Sequence, residues 1–251
     1  MKNVRRHIIL VYVIALLLGS SLTLSAQQQG TPNIVQTHER SGYVFGHTRG
    51  FGFGFQQGRI MNIHSTLFWH AEIATLRHPK EYRRTNESFP NTRTYSYGKL
   101  NRVYMIRGGL GMHRNLADKP YWGGVQVRYS LFGGLNLSIT EPIYLYILHY
   151  NMDDGMFYRS LERYNPDTHF ADHIYGRGPF GKGFRDAKLH PGLYLKGSLF
   201  FDYASDQQYV RALEVGCAID AFPKRLPIMA FAQNSYAHLT LYLALHFGDR
   251  E

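Results

Sequence analysis

Between Ala237 and Phe247 the chain alternates without a break. One face carries Ala237, Leu239, Leu241, Leu243, Leu245 and Phe247; the other carries His238, Thr240, Tyr242, Ala244 and His246. Successive side chains of a β-strand point to opposite sides of its sheet, so this period of two predicts an extended strand. Large apolar side chains in a row, opposite polar and small ones, require an apolar surrounding on one side only. A transmembrane β-barrel supplies it, with lipid outside and a polar lumen inside. A sheet laid over a soluble core supplies it too. The strand's place near the end of the chain, with an aromatic residue closing it, favours the barrel.

Similar segments recur upstream. Strands are expected over residues 43–56, 63–76, 99–113, 124–138, 143–150, 193–203 and 209–221, which with 237–247 makes eight. In the first, Phe51, Phe53 and Phe55 share one face and Gly50, Gly52 and Gly54 the other, a pattern suited to a tightly curved wall. In the second, Leu67, Trp69, Ala71 and Ile73 oppose His70 and Glu72. The third alternates poorly, with Arg102 and Arg107 on opposite faces, and the fifth is apolar and aromatic on both. No helical period competes. The expected fold class is all-β: a closed antiparallel up-and-down transmembrane β-barrel of about 8 strands. Long connections should then leave one end of the barrel and short ones the other. Residues 151–190 and 222–236 fit that rule, whereas 77–97 breaks it.

The N-terminus predicts export. Lys2, Arg5 and Arg6 precede an apolar run from Ile8 to Leu18, and small residues lead to Leu24-Ser25-Ala26. The run is shorter than the roughly 20 residues of a spanning helix, so a signal peptide over 1–26, cleaved after Ala26, is expected. Residues 27–41 are then a lead-in and 42–248 the barrel. The segment holds three of the 28 Lys and Arg and none of the 18 Asp and Glu, so the remainder keeps 25 against 18, a net charge of +7. An exported protein rarely meets nucleic acid, and outer-membrane lipid or lipopolysaccharide phosphates are the expected counter-charges. One cysteine, Cys217, leaves no internal disulfide. The chain must therefore hold together by its core or by closing its own sheet, and its 19 Tyr, 16 Phe and 25 Gly suit the latter.

Alternation places Glu72, Arg128, Lys196, Asp202 and Glu214 inward, with Arg107 a further candidate. Charges in a narrow lumen must pair, because a lone buried charge costs several kcal/mol; a plug of salt bridges is expected rather than an open pore. The compact basic run 77–84 offers Arg77, Lys80, Arg83 and Arg84 as a docking loop for lipid phosphates or an acidic partner. Asp167, His169, Asp172 and His173 lie close enough in sequence to hold a cation, although loop composition explains them as well. His64-Ser65 and Ser235 with His238 supply the residue types of a lipid-modifying hydrolase without a recognisable motif. No catalytic, cofactor-binding or metal residue is assigned. The glycine- and aromatic-rich stretch 174–184 is read as an ordered lid over the barrel mouth.

The chain resembles small outer-membrane β-barrel proteins of the Bacteroidota type. The likeness rests on Ala26-Gln27, Thr48-Arg49-Gly50-Phe51-Gly52, His78-Pro79-Lys80-Glu81, Tyr97-Gly98-Lys99-Leu100-Asn101, Ile174-Tyr175-Gly176-Arg177, His190-Pro191-Gly192 and the closing strand to Phe247. It implies a non-enzymatic structural or assembly role in the outer membrane, accessory to a secretion or motility complex. Its implied partners are the assembly machinery, engaged through the C-terminal strand, and a periplasmic or outer-membrane protein. The alternatives are a lipid-modifying enzyme and a soluble exported β-sandwich binding protein.

Overall fold

The computed structural model describes residues 37–62, 64–86, 92–119, 123–152, 155–206 and 208–251. The signal peptide expected over 1–26 lies outside them, as does most of the lead-in. Strands are numbered in chain order: β1 (His38–His47), β2 (Gly50–Asn62), β3 (Ser65–Leu76), β4 (Arg83–Arg84), β5 (Tyr95–Ser96), β6 (Asn101–Ala117), β7 (Gln126–Pro142), β8 (Tyr144–Asn151), β9 (Met156–Arg163), β10 (Ile174–Arg177), β11 (Lys188–Asp202), β12 (Tyr209–Ala221) and β13 (Ala237–Arg250). Eight of them close a barrel in the order β1-β13-β12-β11-β7-β6-β3-β2, and β2 pairs back onto β1. Every neighbouring pair is antiparallel.

The count of eight agrees with the sequence, but two of its members differ. The single strand expected over 43–56 is the β1–β2 hairpin, folded at Thr48-Arg49. Its two central residues are none of the Gly, Pro, Asn or Asp that usually mark a turn, and Gly50 after them fits the Gly/Phe alternation of β2, so alternation runs through it unbroken. Its inward phase nevertheless switches from odd residues (Tyr43, Phe45) to even ones (Gly52, Gln56). β1 also begins at His38, inside the expected lead-in. Conversely, 143–150 forms a strand outside the barrel: β8 pairs with β9 and β10 in a separate three-stranded sheet. Its two apolar faces are the reason. A barrel strand meets a polar lumen on one side, whereas Leu145 and Ile147 pack against Tyr95, Tyr164 and Ile174.

These changes remove the loop anomaly. The start of β1 and the end of β13 lie at one end of the barrel, where the β2–β3, β6–β7 and β11–β12 connections are short. The β3–β6, β7–β11 and β12–β13 connections leave the other end and are long, and only the two-residue β1–β2 turn is short there. The stretch after residue 76 follows the third barrel strand rather than the second, so it belongs with the long connections.

Side chains sort cleanly across the wall. Val44, Phe53, Leu67, Ile73, Leu110, Leu131, Leu135, Leu195, Val215 and Leu241 are exposed on the outside. Tyr43, Phe45, Phe68, Phe132, Tyr194, Phe200 and Tyr242 are buried within. Inward glycines make room for these rings. A Cβ on Gly54 would lie 2.4 Å from Tyr43 Cζ, and one on Gly58 would lie 2.5 Å from the Phe68 ring. Outward Gly46 has no neighbour within 4 Å of such an atom. Gly54→Val should therefore lower the unfolding free energy by about 1–3 kcal/mol through overpacking, while Gly46→Val leaves it unchanged. Urea titration of the heat-modifiable band in gels measures both.

Candidate functional site

Among the described residues, the densest groupings of ionisable side chains are in the lumen and in a cleft at the long-loop end. In the lumen, Arg107 reaches Glu72 through Nη1 (2.8 Å) and Asp220 through Nε (2.8 Å) and Nη2 (2.5 Å). Asn136 Nδ2 donates to Asp220 at 2.6 Å and the Tyr43 hydroxyl to Glu72 at 2.9 Å. Lys196 Nζ stands 3.6 Å from both Glu72 and Glu214 and 4.5 Å from the Tyr242 ring centre. Glu214 also accepts from Ser198 (2.6 Å) and Tyr242 (2.7 Å) and meets His246 Nε2 at 2.7 Å. A second network lies toward the termini, where Arg128 bridges Glu39 (3.0 Å) and Asp202 (3.2 Å). Arg250 joins the same two carboxylates. Phe68, His113, Phe132 and Phe200 are buried within the barrel in ring-to-ring contact. A void beside Glu72, Arg107 and Lys196 has about 10 Å³, room for one water at most.

The long-loop mouth is covered by the β12–β13 connection. Leu226, Ile228 and Met229 are buried on the inward Leu76, Val103 and Met105, and Asn101 Nδ2 donates to the Pro227 carbonyl at 2.5 Å. The stretch 174–184, read from sequence as the lid, takes another place. Its first residues are β10, Phe184 stacks on Tyr104 at 5.8 Å, and Phe180 lies under the Arg102 guanidinium at 5.0 Å. Tyr104 faces outward from β6, so this stretch packs on the outer rim. An aromatic-rich loop and an apolar one both suit a cap, and composition could not choose between them.

Thus Glu72, Lys196 and Glu214 share one network, and Arg128 and Asp202 share the other. The sequence reading missed Asp220, Glu39, Arg250 and His246 as members. Asp220 is the next inward step after Glu214, Gly216 and Ala218, so its period was readable. Glu39 and Arg250 fell outside the expected barrel boundaries.

Arg77, Lys80, Arg83 and Arg84 are all exposed at the long-loop end. Arg77 and Arg83 line a cleft of about 350 Å³ together with Lys99, Arg102 and Arg177, whereas Lys80 and Arg84 do not. Glu81, the one acid in the basic run, accepts from Lys99 Nζ at 2.6 Å. Burial pulls the Lys99 pKa down and the Glu81 carboxylate opposes it. Arg102 pairs with Glu141 at 3.0 Å.

The histidines of the 167–173 stretch do not converge. His169 Nε2 lies 3.0 Å from Glu162, which His149 also approaches at 2.6 Å, and His173 packs edge-on to Phe170. A hydrogen bond from Ser160, together with these imidazoles, holds the Glu162 carboxyl below its usual range. His238, paired in the sequence reading with Ser235, meets Arg49 Nη1 at 2.8 Å instead.

No protein-family profile and no curated protein sequence matches this chain. Solved structures similar to it include neisserial surface protein A, at 8% identity, 85% of this chain and 96% of that one, TM-score 0.41. Ail, the attachment invasion locus protein of Yersinia pestis, gives 8% identity, 87% and 100% coverage, and 0.39. The N-terminal β-barrel domain of Pseudomonas aeruginosa OprF gives 7%, 85% and 97%, and 0.34. Similarity at this level assigns no role to this chain.

The lumen networks make a sharp prediction. Arg107→Met leaves Asp220 without a cation in the buried lumen and Glu72 with Lys196 alone, and should lower stability by about 3–5 kcal/mol. Adding Asp220→Asn should recover part of the loss. Urea unfolding in detergent, followed by tryptophan fluorescence, reads both variants.

Proposed function

We propose that the protein is a plugged outer-membrane barrel with a structural role, anchoring an ordered platform on the far side of the membrane from its termini. One observation carries this reading: the outer wall is an apolar belt while the lumen behind it is filled. Such a wall has no stable place in water, since soluble proteins rarely leave apolar patches beyond a few hundred Å² uncovered. Aromatic residues edge the belt at both ends, Tyr203, Tyr209 and Phe247 near the termini and Phe51 and Tyr236 near the long loops, as at membrane interfaces. The termini would face the periplasm and the β8–β9–β10 sheet the exterior.

In this role β13 is the strand offered to the assembly machinery during insertion, and the platform is the surface through which a partner protein is served. A Bacteroidota-type origin and an accessory place in a secretion or motility complex belong to the proposal on the strength of the motif resemblance alone.

The filled lumen distinguishes this role from that of a porin. The purified protein should migrate as a heat-modifiable band from the outer-membrane fraction and give no steady conductance steps in planar bilayers. Recovery as a soluble periplasmic protein, or stable open-channel currents, would contradict the proposal.

A further inference from the structure

The rim cleft has a chemistry that the lumen lacks. In the lumen, Arg107, Arg128, Lys196 and Arg250 each meet a carboxylate. In the cleft, Lys99 and Arg102 are neutralised by Glu81 and Glu141, but the guanidinium groups of Arg77, Arg83 and Arg177 have no acceptor among the described residues. Arg77 directly follows β3 and Arg83 is on β4, both within the β3–β6 connection, and Arg177 ends β10 within the β7–β11 connection, so two connections bring three cations to one hollow.

The floor of that hollow is the barrel wall. Thr75 pairs with Tyr104 across β3 and β6, and its hydroxyl donates to the Phe51 carbonyl at 3.2 Å. Phe51, Thr75 and Tyr104 therefore form an outward row over three adjacent strands at the rim, and all three line the cleft. An apolar floor continuous with the belt, beneath three unpaired forks, is the arrangement that an anionic lipid fits.

We propose that this cleft holds the phosphate of an outer-leaflet lipid headgroup, gripped by Arg77, Arg83 and Arg177, with the lipid's apolar part against Phe51 and Tyr104. The planar fork of arginine matches phosphate oxygens two at a time, which explains arginine rather than lysine at the three open positions. A volume of about 350 Å³ is in the range of small-ligand sites and accommodates a phosphate headgroup. The assignment rests on the outer-membrane reading above and deepens it.

Native mass spectrometry of the full chain in detergent tests it, using lipid A, dephosphorylated lipid A and inorganic phosphate as three separate probes. Lipid A should be retained and its dephosphorylated form lost. The Arg83→Gln/Arg177→Gln double variant should weaken lipid A retention by about tenfold or more, as expected for losing charge-assisted hydrogen bonds. Arg211→Gln, on the opposite rim, should leave retention unchanged. Unaltered retention in the double variant would overturn the site. Binding of inorganic phosphate as tight as that of lipid A would overturn the lipid assignment in favour of a soluble phosphate ligand. Heat-modifiability measured on the same samples separates the two readings. Failure to form the barrel counts against the outer-membrane role, and a folded barrel indifferent to lipid A counts against this site alone.

Discussion

The seam between β1 and β13 is the constraint on which everything else depends. Nine residue pairs run from Glu39↔Arg250 to His47↔Tyr242, and ion pairs flank the seam on both faces. Arg40 meets Asp249 (2.8 Å) and Glu251 (2.6 Å) outside, while Arg250 meets Glu39 (2.8 Å) inside. Closure leaves no strand edge, and in lipid no backbone donor or acceptor can be left without a partner. A sheet of eight strands that closes encloses a space only wide enough for side chains. The filled lumen therefore follows from closure at this strand number.

The content of that lumen fixes the register. A slip of one residue along any strand exchanges its two faces. In this barrel it would turn Arg107, Arg128 or Lys196 toward lipid, at about 2–4 kcal/mol each near the bilayer midplane. Replacing buried ion pairs with apolar residues is often neutral or stabilising, so these networks are better understood as determinants of register than as a source of stability. The glycines act in the same direction, since Gly54 and Gly58 accept rings from neighbouring strands only in the observed alignment.

How much was legible in the sequence varied with the kind of fact. The faces of β3, β12 and β13 could be read residue by residue, because lipid and lumen impose opposite polarity on alternate positions. The β1–β2 turn could not, because Thr48-Arg49 lacks turn chemistry and the alternation runs through it. Strand β8 misled in the opposite way: it is a strand, yet its partners are β9 and β10. Alternation gives the side of the wall but not the depth, so Arg107 and Asp220, 113 residues apart, could be placed inward without being paired. The basic run 77–84 was visible as a cluster. Which of its members face the cleft depends on where β10 and the start of β6 arrive, and local sequence does not encode that.

The direct test of the account is a disulfide across the seam in outer-membrane preparations. With Cys217→Ser as background, Val44→Cys and Leu245→Cys occupy paired positions on the outer face, within the distance that a disulfide spans. The account predicts rapid oxidation to an intramolecular crosslink for this pair and none for the offset pair Val44→Cys with Leu243→Cys. No crosslink in the aligned pair, from a correctly folded and inserted protein, would contradict closure of β1 on β13 and with it the plugged barrel.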